Sequence, residues 1–394
     1  MTEGSNIELS VVMPCLNEAE TLGACINEAR RFLDNSCVTG EIIVGDNGST
    51  DGSQEIALQH GARVVAVSVR GYGAALDGAI QTAKGKYVVI GDSDFSYNFS
   101  ELMPFLERLR SGDDLVMGNR FAGCIAAGAM PWKNRYIGNP VLSGIGRLFF
   151  NCNIKDLHCG LRAFHKDAYS RLRLQTVGME FASEMVIKAT ILKMQISEVP
   201  VKLRPDGRSH PPHLRPWRDG WRHLRFMLLF SPLWLFLYPG LSLMLIGIFT
   251  MLRIAHGPLF IGAIGFDIHT MLYAGMSILL GFQCVMFAFL SKTFAINEGL
   301  HNKEKWFKKI SRFLTLEVGI AFGLLFILVG VSISFIALSE WKQASFGNID
   351  PRHIFRLVIP GSICVTLGAE TIFASFFMSV LGLRLKTKVF NDHA

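Results

Sequence analysis

Tyr87-Val88-Val89-Ile90-Gly91-Asp92-Ser93-Asp94 is an apolar run that ends in two carboxylates one residue apart. Its β-branched and aromatic composition reads as a buried strand. Side chains two apart on a strand share a face, so Asp92 and Asp94 are expected to converge at its carboxyl end. Such a pair suits one hard divalent cation, which takes oxygen ligands and commonly completes its shell with substrate phosphates. An Asp-x-Asp by itself is weak; the segments around it give it weight.

The strand has neighbours of the same kind. Residues 9–13 form an apolar strand closed by Pro14, and 18–32 have helical spacing with Leu22, Ile26, Ala29 and Leu33 on one face. Residues 41–44 make a second strand, ending at Gly45-Asp46-Asn47-Gly48. A helix around 54–60, a strand over 63–69, a helix over 74–83 and a strand over 114–117 follow. Strands alternating with helices predict an α/β domain with a mostly parallel sheet. Ligands of such sheets bind beyond the carboxyl ends of the strands, where the polar motifs lie.

Pro14-Cys15-Leu16-Asn17-Glu18 follows the first strand. Asn17 and Glu18 can bond a base or ribose, or cap the helix they open. Asp46 opens the turn after the second strand, where it can accept from a base N–H; an ordinary Asx turn explains the segment as well. Arg70-Gly71-Tyr72-Gly73 joins the third strand to a helix. Gly71 there allows a phosphate close to the backbone at a helix N-terminus, although the spacing of a dinucleotide fingerprint is incomplete. Gly118-Asn119-Arg120 ends a further strand and offers a guanidinium to phosphate.

Half of the 394 residues are hydrophobic and the formal charge is +7. The apolar residues are unevenly placed. Up to about residue 228 they alternate with charges as in a soluble domain. Beyond it come uncharged stretches of the length a bilayer demands of a helix, near 231–252, 269–291, 318–338 and 357–383. Basic residues flank alternate ends: Arg215, Arg218, Arg222 and Arg225 before the first stretch, Lys292, Lys303, Lys305, Lys308, Lys309 and Arg312 between the second and third, and Arg384, Lys386 and Lys388 after the fourth. Such clustering places the soluble domain and the C-terminus on the cytoplasmic side of a cell membrane. The polar N-terminus carries no cleavable signal pattern. Eight scattered cysteines make no Cys-x-x-Cys pair, as expected of reduced thiols.

Together these motifs resemble the family 2 glycosyltransferases of GT-A fold, and within them the polyprenyl-phosphate hexosyltransferases of the dolichol-phosphate mannose synthase type. The resemblance covers about residues 7–225, with the motifs in family order. It implies that Pro14, Asn17, Glu18 and Asp46 hold the nucleoside, with Gly71 near the phosphates. Asp92, Ser93 and Asp94 then bind Mg²⁺ or Mn²⁺ and the diphosphate. On the acceptor side it implies Arg120, Arg135, Asn139 and Arg208 around the lipid phosphate. Asp156, in Asp156-Leu157-His158-Cys159-Gly160-Leu161-Arg162, lines the acceptor site or orients the sugar, or else forms a salt bridge, for instance with Arg162. Departures are Leu16 for an aromatic residue, Asn47 for a second Asp, and Ser96 for the usual third metal ligand. Glu180 and Glu184 are either a packed polar face or participants, and His158 and His165 read as structural.

The expected architecture is therefore a glycosyltransferase domain over 1–212, an amphipathic juxtamembrane helix over 213–229 and a transmembrane domain over 230–394. Trp217 and Trp221, four apart and beside Arg218, Arg222 and Arg225, suit an anionic membrane face and not nucleic acid, since a span begins within a few residues. The expected reaction moves a hexose from a UDP- or GDP-sugar to undecaprenyl or dolichyl phosphate, with inversion; the chain can be a homo-oligomer. Three rivals are weighed: a processive polysaccharide synthase, whose Gln-x-x-Arg-Trp motif is missing here; a transporter with a regulatory sugar-nucleotide domain; and a binding module without catalysis. Glu370, about the middle of the fourth stretch, is either a functional carboxylate or a protonated packing residue.

Overall fold

The computed structural model describes residues 7–209, 216–297, 306–307, 309–310 and 315–382. Of the residues singled out above, Arg215, Lys303, Lys305, Lys308, Arg312, Arg384, Lys386 and Lys388 lie outside the described residues. The chain divides into two compact units, Met1–Phe230 and Ser231–Ala394.

The first unit is built on one seven-stranded sheet. Its strands are β1 (Leu9–Cys15), β2 (Gly40–Asp46), β3 (Arg63–Ala66), β4 (Tyr87–Ile90), β5 (Leu115–Ile125), β6 (Arg162–His165) and β7 (Ile196–Leu203), in the order β3-β2-β1-β4-β6-β5-β7. All pairings are parallel except those of β6 with β4 and β5. Side-chain alternation along β1 feeds two cores. Leu9, Val11 and Met13 pack with α1 (Leu22–Ser36) and α4 (Met103–Arg110) on one face. Val12 packs on the other face with α3 (Tyr72–Thr82) and α7 (Phe181–Ile191). Neither β6 nor β7 was assigned from sequence. The alternation of Val199, Val201 and Leu203 with Glu198, Pro200 and Lys202 is a sequence signal that could have found β7.

Helix α1 begins at Leu22, four residues later than its periodicity predicts, because Glu18 to Thr21 form a turn in which Glu18 accepts from the amides of Thr21 and Leu22. Helix α2 (Ser53–Gln59) and α6 (Lys166–Leu172) complete the outer layers. Helix α5 (Asn139–Phe150) and α8 (Pro216–Leu229) share a small apolar cluster with α7, in which Phe226 and Met227 meet Ile187, Leu142 and Ile145. Trp217 and Trp221 are exposed on α8.

Among the described residues the second unit holds four helices long and apolar enough to cross a membrane: Leu233–Ala255, Ile268–Asn297, Leu316–Gln343 and Pro351–Gly382. They pack through glycines spaced seven apart. Gly240 and Gly247 of the first span meet Gly281 and Ala274 of the second, and Gly323 and Gly330 of the third meet Gly368 and Gly361 of the fourth. Small residues let membrane helices approach backbone to backbone; a Cβ on Gly330 would stand 2.5 Å from the Gly361 carbonyl oxygen. Outside the spans' apolar stretches, Asp267 holds Arg356 at 2.6 Å.

Candidate active site

Strand β4 stops at Ile90, so Asp92 and Asp94 stand in the loop after it and not on the strand. The shared-face expectation from strand alternation is therefore corrected: the two carboxylates are aimed by loop contacts. Asp92 Oδ1 accepts the Tyr72 hydroxyl at 2.9 Å, from the first residue of α3. Its other oxygen packs on Gly160, where a Cβ would lie only 2.2 Å away. Ser93 donates its hydroxyl to the Pro14 carbonyl at 2.6 Å, tying the loop to β1. Asp94 Oδ1 accepts the Ser96 amide at 3.0 Å and the Ser96 hydroxyl at 2.5 Å, so Ser96 is engaged with Asp94 itself.

The remaining Asp94 oxygen, Oδ2, lies 3.4 Å from Arg208 Nη2. The same guanidinium grips Glu18, with Nη2 at 2.6 Å from Oε1 and Nε donating to Oε2 at 2.8 Å. Burial first, and then the neighbouring Asp94 charge, push the Asp92 carboxyl up to about 6, while the Tyr72 hydrogen bond and Arg208 pull the other way. Two carboxylates short of positive charge are a fitting donor set for one hard divalent cation. Among the described residues no group of three His, Cys, Asp or Glu side chains is placed to hold a metal. The rest of a shell built on Asp92 and Asp94 would thus come from substrate phosphate and water.

The loops after β1, β2 and β3 are joined to one another. Asn17, at φ 57°, donates its amide to the Ser49 hydroxyl oxygen and accepts the Thr50 amide at its Oδ1. Asp46 is buried and accepts from the amides of Gly48 and Ser49 and from Gln54 Nε2 at 2.6 Å. This is the Asx-turn arrangement that the sequence left open beside a base contact. Asn47 bonds the carbonyls of Val67 and Val69 and accepts the Gly71 amide at 2.7 Å. Gly71 has φ 144°, and a Cβ there would stand 2.1 Å from the Val177 carbonyl oxygen. Close packing explains this glycine, and two amides at the start of α3, those of Gly71 and Ala74, bond protein acceptors.

Arg120 and Asp156 form a buried ion pair, Nε to Oδ2 and Nη2 to Oδ1, both at 2.7 Å. The Asp156–Arg162 pairing weighed from sequence does not form. Arg162 is fully buried and donates to the carbonyls of Leu157, Cys159 and Ala182. Glu184 is likewise buried, held by Lys188 at 2.8 Å and by the amides of Gln175 and Thr176. Among the described residues the buried Oε2 of Glu180 has no hydrogen-bond partner. His158 and His223 of α8 meet edge to face, 4.6 Å between centroids, and both bond the Ser183 hydroxyl. His165 caps α6 by accepting the Asp167 amide.

Arg135 lies in a wide helical turn, Asn134–Gly138, beside the exposed Trp132, Tyr136 and Ile137, its guanidinium 5.5 Å from the Tyr136 ring centre. Asn139 donates to Met130 Sδ. Among the described residues no hydrogen bond or ion pair joins either of them to the carboxylate cluster. In the fourth span the buried Oε2 of Glu370 has no hydrogen-bond partner among the described residues. Sequence reasoning missed Tyr72, because nothing in Gly71-Tyr72-Gly73 announces that its hydroxyl crosses to Asp92.

Comparison with known proteins places these residues in context. Residues 10–173 match the glycosyl transferase family 2 and residues 289–382 the glycosyltransferase family 2 C-terminal transmembrane region. The chain is 34% identical over 377 residues to the low-salt glycan biosynthesis hexosyltransferase Agl6 of Haloferax volcanii, covering 95% of this chain and 89% of that one. It is 30% identical over 220 residues to a dolichyl-phosphate hexose transferase of the same organism, covering 56% of this chain and 92% of that one. A crystal structure of glucosyl-3-phosphoglycerate synthase from Mycobacterium tuberculosis with Mn²⁺ and UDP-glucose matches with a TM-score of 0.44 at 26% identity, over 56% of this chain and 78% of that one.

Proposed function

The chain belongs to glycosyltransferase family 2, with the family's C-terminal membrane region, and from that premise we propose that it transfers a hexose from a nucleoside diphosphate sugar to a polyprenyl phosphate. The observation that carries this reading is the ionic cluster of Glu18, Asp92, Asp94 and Arg208, which loops after β1, β4 and β7 assemble at one place. Asp92 and Asp94 would hold Mg²⁺ or Mn²⁺, which when bound supplies charge neutralisation for the departing diphosphate. Tyr72 and Ser96 keep those two carboxylates oriented, so little reorganisation is left for the reaction.

The acceptor is a phosphate monoester, anionic near neutral pH, and needs little help from a general base. Its oxygen attacks the anomeric carbon in line, with inversion, as the bond to the diphosphate breaks. Arg208 and Arg135 offset the repulsion between two anions, and Asn139 adds a donor. Arg120 contributes charge while it is held by Asp156. A cation flanked by the exposed Trp132, Tyr136 and Ile137 suits a head group that carries an isoprenoid tail. In this reading helix α8, through Trp217, Trp221 and the arginines beside them, rests on the cytoplasmic face of the membrane, and the clustering of basic residues along the sequence supports that orientation.

Incubating the purified full chain with polyprenyl phosphate, Mn²⁺ and a panel of radiolabelled UDP- and GDP-hexoses tests this directly. Label in the lipid with one donor is the expected result. Label in a polysaccharide or in another lipid, with none in polyprenyl phosphate, would overturn the acceptor assignment.

A further inference from the structure

The connection that leaves β7 lies across the aspartate loop and is fastened at both ends. At one end Arg204 pairs with Glu28 at 2.9 and 3.0 Å, and its guanidinium stands 4.1 Å from the centre of the Phe95 ring. At the other the Ser209 amide donates to Glu20 at 2.7 Å. Between them the Gly207 amide donates to the Asp94 carbonyl at 3.0 Å. This strap delivers Arg208 to Glu18 and Asp94 and leaves only 11% of its side chain exposed. A guanidinium is permanently charged, so the strap sets a fixed cation on the carboxylate assigned to the metal.

We propose that Arg208 is a stand-in cation: it neutralises Glu18 and Asp94 while the site is empty and is displaced from Asp94 when a divalent cation binds. This rests on the reading above that Asp94 is a metal ligand. A divalent cation and a guanidinium on one carboxylate repel each other at short range, so the two states of Asp94 exclude one another. The displaced guanidinium, still tethered through Arg204, turns to an incoming anionic head group. Binding is thereby ordered, with the metal before the acceptor. An arginine that stood clear of Asp94 would leave metal affinity nearly untouched; a stand-in lowers it.

The test is the affinity of the detergent-purified full chain for Mn²⁺ alone, read from the electron paramagnetic resonance of free Mn²⁺. Arg208→Ala is expected to bind Mn²⁺ about tenfold tighter than the parent, the scale on which one adjacent charge alters a carboxylate. Arg208→Lys, which keeps the charge and loses the fork, falls between the two. Equal or weaker Mn²⁺ binding by Arg208→Ala would overturn the proposal. Should that variant not fold, Arg208→Lys decides: tighter binding supports the stand-in role, and unchanged or weaker binding sinks it. Asp94→Asn separates the two layers. Loss of its Mn²⁺ binding upholds the metal assignment, whereas parental affinity removes that assignment whatever Arg208 does.

Discussion

Arg120 and Asp156 close a two-bond fork at 2.7 Å in which the carboxylate has no exposed surface. Asp156 also accepts the Arg120 amide at 3.1 Å, so the pair fixes the middle of β5 as well as its side chain. Removing one partner of a buried pair leaves an uncompensated charge, at a cost of about 3–5 kcal/mol. Asp156→Ala should therefore lower the thermal unfolding temperature in detergent along with transfer. Parental stability with lost transfer would instead assign Asp156 to the substrate.

Asp94→Asn should reduce hexose transfer by about 10²–10³ with the circular dichroism spectrum unchanged. Tyr72→Phe removes one donor from Asp92 and should cost less, about tenfold. Normal turnover by Asp94→Asn would contradict its place in the chemistry.

His223 gives the first unit an acid-sensitive seam between α8 and α7. Burial first, and then the charge of Arg162, hold its imidazole down at about 4. The folded state thus keeps His223 neutral where the unfolded chain already binds a proton. Between about pH 6.5 and about pH 4 the unfolded state holds more protons, so stability falls as pH falls through that window. A shift of that size corresponds to about 3 kcal/mol. His223→Gln should flatten the fall of unfolding temperature with acid; an unchanged slope would place the sensitivity elsewhere.

Gly330→Leu should separate the third and fourth spans, since the side chain has to displace the Gly361 backbone and Val365. Overpacking of this kind costs about 1–3 kcal/mol. Faster proteolysis of the second unit, with the first unit's proteolysis unchanged, is the expected pattern. Equal loss in both units would mean that the two do not unfold separately.

Much of this molecule was legible in one dimension. Apolar runs such as 87–90 and 9–13 mark strands because burial demands them whatever their partners. The long uncharged stretches mark spans for the same reason. The loops after strands one, two and four were recognisable because chemistry in an α/β sheet gathers at those ends. Boundaries were less so: Glu18 looked like helix and is instead held in a turn with Arg208 on its carboxylate.

Sequence by itself determined which residue types stand at the strand ends, since period, turn chemistry and hydrophobic length are local properties. Only the tertiary structure decided their partners. That Asp156 takes Arg120 and not the nearer Arg162, that Tyr72 aims Asp92, and that Arg208 reaches back 190 residues to Glu18 depend on an antiparallel β6 set between β4 and β5 and on a strap crossing from β7. Charge pairing is settled by distance in space and by burial, and neither is written in the spacing along the chain.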